Sequence, residues 1–128
     1  MSLPACQVSS RPTCSFVFNL ETNYHRTGSG PAYFFAMVEH LIASGIGLGL
    51  SEEQATRLAK QTCFGAGKMM IESSDGPAQL RKNVTSPNGT TDAALKSFEA
   101  SGFKDIVDKA VKAGTSRGEE LGRTLGKQ

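Results

Sequence analysis

The stretch KNVTSPNGTTDAAL, residues 82–95, joins a polar, turn-forming segment directly to an alanine-rich run. Proline, asparagine and glycine in succession at 87–89 are typical of a tight turn, and threonine is a residue type that begins helices. We therefore expect a turn and then a helix, with Thr90 or Thr91 as its N-cap. On the residues alone, the stretch is either an ordinary capped turn or an anion site, because a helix start presents unpaired N–H groups.

Helical periodicity lies upstream of this stretch. Pro31 stands at a helix-start position, and apolar side chains recur at helical spacing from Phe34 to Leu41. This pattern predicts an amphipathic helix that ends between Gly45 and Gly49.

A capping box predicts where the next helix begins. Ser51 is followed three residues later by Gln54, and the helix that they start is expected to run to about Ser73. Three further helices are expected: over residues 78–84, over residues 93–100 with Gly102 at the end, and from about Phe103, with Ile106, Val107, Ala110 and Val111 facing inward. No β-branched run alternates with polar residues over a strand length, so the sequence predicts an all-α bundle of about five helices.

Glycine recurs every four residues near the end of the chain, at Gly114, Gly118, Gly122 and Gly126. Each costs roughly 0.8–1 kcal/mol relative to alanine in a helix interior. The segment is therefore either a fraying tail or a flat face against which a partner helix packs closely. Helices this slim suit an interlocked dimer, in which one subunit completes the core of the other.

Composition and charge narrow the class of protein. The chain has 128 residues, 38% of them hydrophobic, which fits one domain with a modest core. Fourteen basic and twelve acidic residues are interspersed, so we expect neither a nucleic-acid partner nor a membrane partner. Three widely spaced cysteines and the lack of a signal-peptide pattern predict a cytoplasmic setting. Residues 1–26 lack periodicity and are interpreted as an irregular or foreign leader to a helical domain over residues 27–128.

Motifs for cofactors and metals are incomplete. The segments GSGPAY, GIGLGL and GAGKMM end in Tyr33, Leu50 and Met70, so none completes the G-x-G-x-x-G dinucleotide motif. The two histidines have no cysteine or carboxylate at ligand spacing. We therefore predict no cofactor site, no metal site and no catalytic side chain in this chain itself.

Two motifs carry a resemblance to a known family. GSGPAYFF at residues 28–35 and NVTSPNGTT at residues 83–91 occur with GLSEEQATRLAKQT, GAGKMMIES and ASGFKDIVDKAV in the same order and spacing as in the C-terminal domain of pyrroline-5-carboxylate reductase. From about Gly28 onward the chain resembles that domain. The resemblance implies an all-α domain that forms a homodimer, or a higher oligomer, through interlocked helices.

The resemblance also implies an activity, the last step of proline biosynthesis. In the family, NADH or NADPH is held by a separate Rossmann domain and delivers a hydride to the C=N carbon of 1-pyrroline-5-carboxylate, which gives proline. We expect the N-terminal dinucleotide-binding domain to be absent from this chain. We therefore expect a fragment or truncated gene product that is inactive alone.

The family's S-P-G-G-T-T loop corresponds to residues 86–91. Its serine and threonine hold the carboxylate of the substrate or of proline, which implies that Ser86 and Thr91 bind this group, with Gly89 and Thr90 as loop neighbours. Asn88 replaces the first glycine of the loop, and Asp92 adds a negative charge beside the site. Both departures are expected to weaken binding, Asp92 by like-charge repulsion.

Two alternatives to an enzyme fragment stay open at this point. The chain is then either a non-catalytic helical homo-oligomerisation module without a ligand site, or an unrelated helical protein that matches by chance. An interlocked dimer fold would exclude the second alternative.

Overall fold

The computed structural model of the protein describes residues 29–126, in which five α-helices follow one another and no strand occurs. The helices are α1 (Gly30–Gly47), α2 (Glu52–Glu72), α3 (Pro77–Asn83), α4 (Thr90–Ala100) and α5 (Phe103–Leu125). The prediction of an all-α chain of about five helices is confirmed. The predicted leader, residues 1–26, lies outside the described residues.

Local signals in the sequence determine where α1 ends and α2 begins. Gly49 follows α1 with a φ of 103°, a left-handed conformation that glycine adopts without steric cost. The N–H of Leu50 donates to the Gly45 carbonyl at 3.1 Å, which closes the last turn of α1. The Ser51 hydroxyl accepts from the Gln54 N–H at 3.2 Å, and the Gln54 side chain accepts from the Ser51 N–H at 3.1 Å. The predicted capping box is therefore confirmed.

Helices α1 and α2 approach each other at small residues. Ala55 and Ala59 of α2 are 3% and 9% exposed, and they form the buried apolar core of the residues described. A Cβ built on Gly45 of α1 would lie 3.3 Å from the Cβ of Ala55. The two helices therefore come this close because residue 45 has no side chain.

Contacts along the chain define two units, of which one consists of residues 32–106 and the other includes residues 107–126. Within the first unit, α4 ends at a left-handed glycine, Gly102, with a φ of 74°. The ring of Phe98 in α4 stacks on that of Phe103 in α5, with 4.9 Å between centroids. The prediction that Gly102 ends this helix is confirmed.

Many large apolar side chains are exposed in the single chain. Among residues 29–126, eighteen large apolar side chains are exposed, including Phe35, Phe64 and Leu48. The prediction that Ile106 and Val107 face inward is wrong for one chain, because these side chains are 58% and 44% exposed. Within residues 29–126 of one chain, no neighbouring group covers the side chains of Ile106 and Val107 completely.

No helix among residues 29–126 is both long enough and apolar enough to cross a lipid bilayer.

Candidate functional site

Residues 86–89 form a tight turn immediately before α4. The N–H of Gly89 donates to the Ser86 carbonyl at 3.0 Å, and Asn88 has a φ of 60°. A positive φ at the third residue is characteristic of a type II turn, and proline is common at the second. Asparagine is one of the residues that tolerate the left-handed region. Asn88 therefore adopts the backbone conformation that the family's glycine would favour.

Helix α4 begins earlier than predicted. Thr90 and Thr91 are already its first two residues, and the N-cap is Gly89, without a side-chain capping bond. The Gly89 carbonyl accepts from the N–H of Ala93 at 3.1 Å. The predictions of a threonine N-cap and of a start at Ala93 are therefore wrong. A Cβ at position 89 would lie 3.1 Å from the carbonyl oxygen of Ser86, so the tightness of the turn favours glycine at the cap.

The start of α4 presents unpaired hydrogen-bond donors. In the described part of the chain, no group accepts from the backbone N–H groups of Thr90, Thr91 and Asp92. The hydroxyls of Ser86, Thr90 and Thr91 have no hydrogen-bond partner within that part either. Ser86 and Thr90 are exposed, whereas Gly89 and Thr91 are half-buried. The structure thus places all four predicted site residues in one turn and the helix start that follows it.

The carboxylate of Asp92 bonds to groups of its own chain. Its Oδ2 accepts from Lys96 Nζ at 2.8 Å and from the backbone N–H of Asn88 at 3.1 Å. The hydrogen bond from Lys96, followed by the one from Asn88, lowers the pKa of Asp92 below its ordinary value. The i, i+4 spacing of Asp92 and Lys96 could have predicted their pairing, whereas no sequence signal indicates the bond to Asn88.

A cleft of about 550 Å³ adjoins the site at Asp92. It is lined by charged and apolar side chains from α3, α4 and the start of α5: Arg81, Asp92, Leu95, Lys96, Phe98, Glu99, Phe103 and Lys104. No group of three histidine, cysteine or carboxylate side chains within residues 29–126 is arranged to hold a metal ion. The unpaired donors before and at the start of α4 therefore make this segment suited to an anion rather than a cation.

Comparison with known proteins shows which family the chain resembles. Residues 20–121 match the family model described as pyrroline-5-carboxylate reductase dimerisation. The chain is 51% identical over 100 residues to pyrroline-5-carboxylate reductase of Pseudomonas aeruginosa, with 78% of this chain and 37% of the relative covered. It is 44% identical over 112 residues to the Mycobacterium tuberculosis enzyme, with 74% and 38% covered. The chain thus spans little more than a third of the length of these relatives.

Solved structures agree with the sequence matches. A pyrroline-5-carboxylate reductase from Coxiella burnetii has a TM-score of 0.71 and 42% identity, with 74% of this chain and 35% of the other covered. A Plasmodium falciparum pyrroline carboxylate reductase with NADP bound also has a TM-score of 0.71, with 38% identity and coverage of 75% and 39%. Because the family model covers most of its length, this chain belongs to the pyrroline-5-carboxylate reductase dimerisation family.

Proposed function

We propose that this chain supplies the subunit interface and the carboxylate-binding turn of a pyrroline-5-carboxylate reductase. The observation that carries the proposal is the set of unpaired amide and hydroxyl donors between Ser86 and Asp92. These donors lie in the segment that resembles the family's carboxylate-binding loop. We also propose the domain boundary that the sequence predicts, with a helical domain over residues 27–128.

The geometry suits a single carboxylate group. The N–H groups of Thr90 and Thr91 lie at the positive end of the α4 dipole, where an anion is stabilised. The hydroxyls of Ser86 and Thr91 supply further donors, and Gly89 allows the turn to close tightly on Ser86. The ligand is a small cyclic imino-carboxylate, or proline as its reduced product.

The reaction that this site would serve is the NAD(P)H-dependent reduction of 1-pyrroline-5-carboxylate to proline. NADP is bound in the structure of the Plasmodium relative, and the cofactor supplies the hydride for the C=N carbon. The residues described here do not fit a dinucleotide, because no strand precedes a glycine-rich turn among them. The cofactor would therefore bind outside residues 29–126. The described residues contribute orientation of the substrate and charge complementarity to its carboxylate.

The partner proposed for the helical surface is a second copy of the chain, with helices interlocked. Exposed apolar side chains occur on α1 and α2 and, separately, on α5, and such a copy would cover them. A Cβ at Gly65 or Gly67 of α2 would meet no atom of residues 29–126 within 4 Å, and the same holds for Gly122 of α5. These positions leave room for close approach by another helix. A cytoplasmic setting fits the odd number of cysteines.

Titration with L-proline tests the carboxylate site. We expect amide chemical shifts of residues 86–92 to move in the 128-residue chain, and Ser86→Ala and Thr91→Ala to abolish the change. Ser74→Ala is the matched control, because Ser74 is an exposed serine outside the turn. If residues 86–92 do not respond to proline, the carboxylate site is refuted.

The second candidate is a non-catalytic oligomerisation module with no ligand site. The number of exposed apolar side chains favours it, because a subunit interface alone would account for them. The same titration separates the two candidates. An oligomer whose turn ignores proline would support the module.

A further inference from the structure

The side chain of Asp92 is directed back onto the turn that precedes α4. Its Oδ2 accepts from the backbone N–H of Asn88 at 3.1 Å and pairs with Lys96 Nζ at 2.8 Å, and the side chain is 22% exposed. Among the described residues, no other side chain bonds to the backbone of residues 86–89. Asp92 is thus the side chain that ties this turn to α4.

The bond lies at the peptide that decides the turn type. The Asn88 N–H belongs to the central peptide of the turn, between Pro87 and Asn88. Type I and type II turns differ mainly in the orientation of this peptide, and Asn88, with a φ of 60°, has the type II conformation. Non-glycine residues adopt that conformation at a cost, so an acceptor fixed in front of this N–H favours the observed turn over its common alternative.

Resting on the proposed function, we infer that Asp92 is a positioning residue, which holds the central peptide of the turn and so keeps Ser86 beside the helix-start donors for a bound carboxylate. It acts through Asn88 and does not itself touch the ligand. This role differs from the repulsion expected from the sequence, because the negative charge of Asp92 is paired with Lys96.

Hydrogen bonds from Lys96 and from the Asn88 N–H favour the ionised form of Asp92. Lys96 and Glu99 of α4, Arg81 of α3 and Lys104 of α5 line the adjoining cleft. The pKa of Asp92 is lowered, by the Lys96 hydrogen bond first and by the Asn88 N–H second. The stabilisation of the turn by the Asp92 carboxylate is therefore fully present above the ordinary aspartate pKa. It is lost as the pH falls through the lowered pKa of Asp92.

The test uses nuclear magnetic resonance of the 128-residue chain, with L-proline as the probe. Asp92→Ala should shift the Asn88 amide resonance and raise the apparent Kd for L-proline about ten-fold, because the turn loses its orientation. Asp92→Asn should restore most of the affinity, since its amide oxygen can accept the same bond, while the pH dependence of the Asn88 resonance disappears. Glu72→Ala removes a comparable i, i+4 pair with Lys68 and should change neither quantity.

The outcomes are distinct. Tighter proline binding by both Asp92 variants would show that repulsion dominates and would overturn the inference. An Asn88 resonance that ignores both Asp92→Ala and acid titration would overturn it as well. If the Asn88 resonance follows Asp92 but the unaltered chain ignores proline, Asp92 does hold the turn and it is the proposed carboxylate site that fails.

Discussion

At the scale of single residues, Asn88 has the least favourable backbone conformation. It is the non-glycine residue with a positive φ in the described part of the chain. Asparagine accepts this conformation more readily than other side chains of its size, and the N–H of Asn88 has an acceptor in Asp92. Asn88 therefore accommodates the positive φ of this turn without a glycine.

Substitution at Asn88 tests this account of the turn. We expect Asn88→Ala to lower the free energy of unfolding by about 1 kcal/mol, because the left-handed backbone conformation is sterically unfavourable for alanine. Asn88→Gly should leave the stability unchanged within a few tenths of a kcal/mol, since glycine adopts this φ freely but is more flexible when unfolded. Urea unfolding followed by circular dichroism measures both. Equal effects of the two substitutions would contradict a role for the backbone conformation.

The residues of the candidate site could be predicted, but their contacts could not. Proline, asparagine and glycine in succession indicated the turn, and the motif pointed to Ser86 and Thr91. The predicted threonine N-cap was wrong because the N-cap position lies close to the Ser86 carbonyl, which favours glycine there. The helix propensity of threonine contains no information about that close approach. The hydrogen bond from the Asn88 N–H to Asp92 also depends on the conformation of the turn, which residue spacing alone does not predict.

At the scale of elements, the boundaries of α1 and α2 follow from short-range chemistry. The signals are Gly49 after the end of α1 and the capping box of Ser51 and Gln54. Each acts within a few residues and needs no distant contact. Element bounds in this region could therefore be predicted from the sequence. The burial of Ala55 could not be, because it depends on the approach of Gly45 from a different helix.

The capping box gives a prediction at this scale. Ser51→Ala removes the acceptor for the Gln54 N–H and should lower the free energy of unfolding by about 1 kcal/mol. Ser51→Asp should keep most of the stability, because its carboxylate accepts the same bond. Ser74→Ala, an exposed serine in the bend between α2 and α3, serves as the control. Thermal unfolding of the variants measures the difference, and equal values for Ser51→Ala and Ser74→Ala would show that the cap adds nothing.

At the scale of the whole molecule, the described part of the chain exposes many large apolar side chains and buries few apolar residues. Helical periodicity predicted that Ile106 and Val107 lie on an apolar face, but periodicity does not say which surface covers that face. In the proposed dimer, a second copy of the chain would cover this face. The inward direction expected for these side chains would then hold in the assembly and not in a single chain.

Glycine recurs every four residues in the second half of α5, and substitution of Gly122 tests whether a partner helix packs on this face. A Cβ at Gly122 would meet no atom of the described residues within 4 Å, so in one chain Gly122→Ala should stabilise the helix by roughly 0.8–1 kcal/mol. If a partner helix packs on this face, the added methyl group overpacks the contact and weakens the dimer, with about 1.4 kcal/mol giving a ten-fold rise in Kd. We expect the weakened dimer, measured by sedimentation equilibrium, and no change in the dimer Kd for the control Ser74→Ala in the bend between α2 and α3. A helix stabilised by Gly122→Ala with an unchanged dimer would identify the segment as a fraying tail.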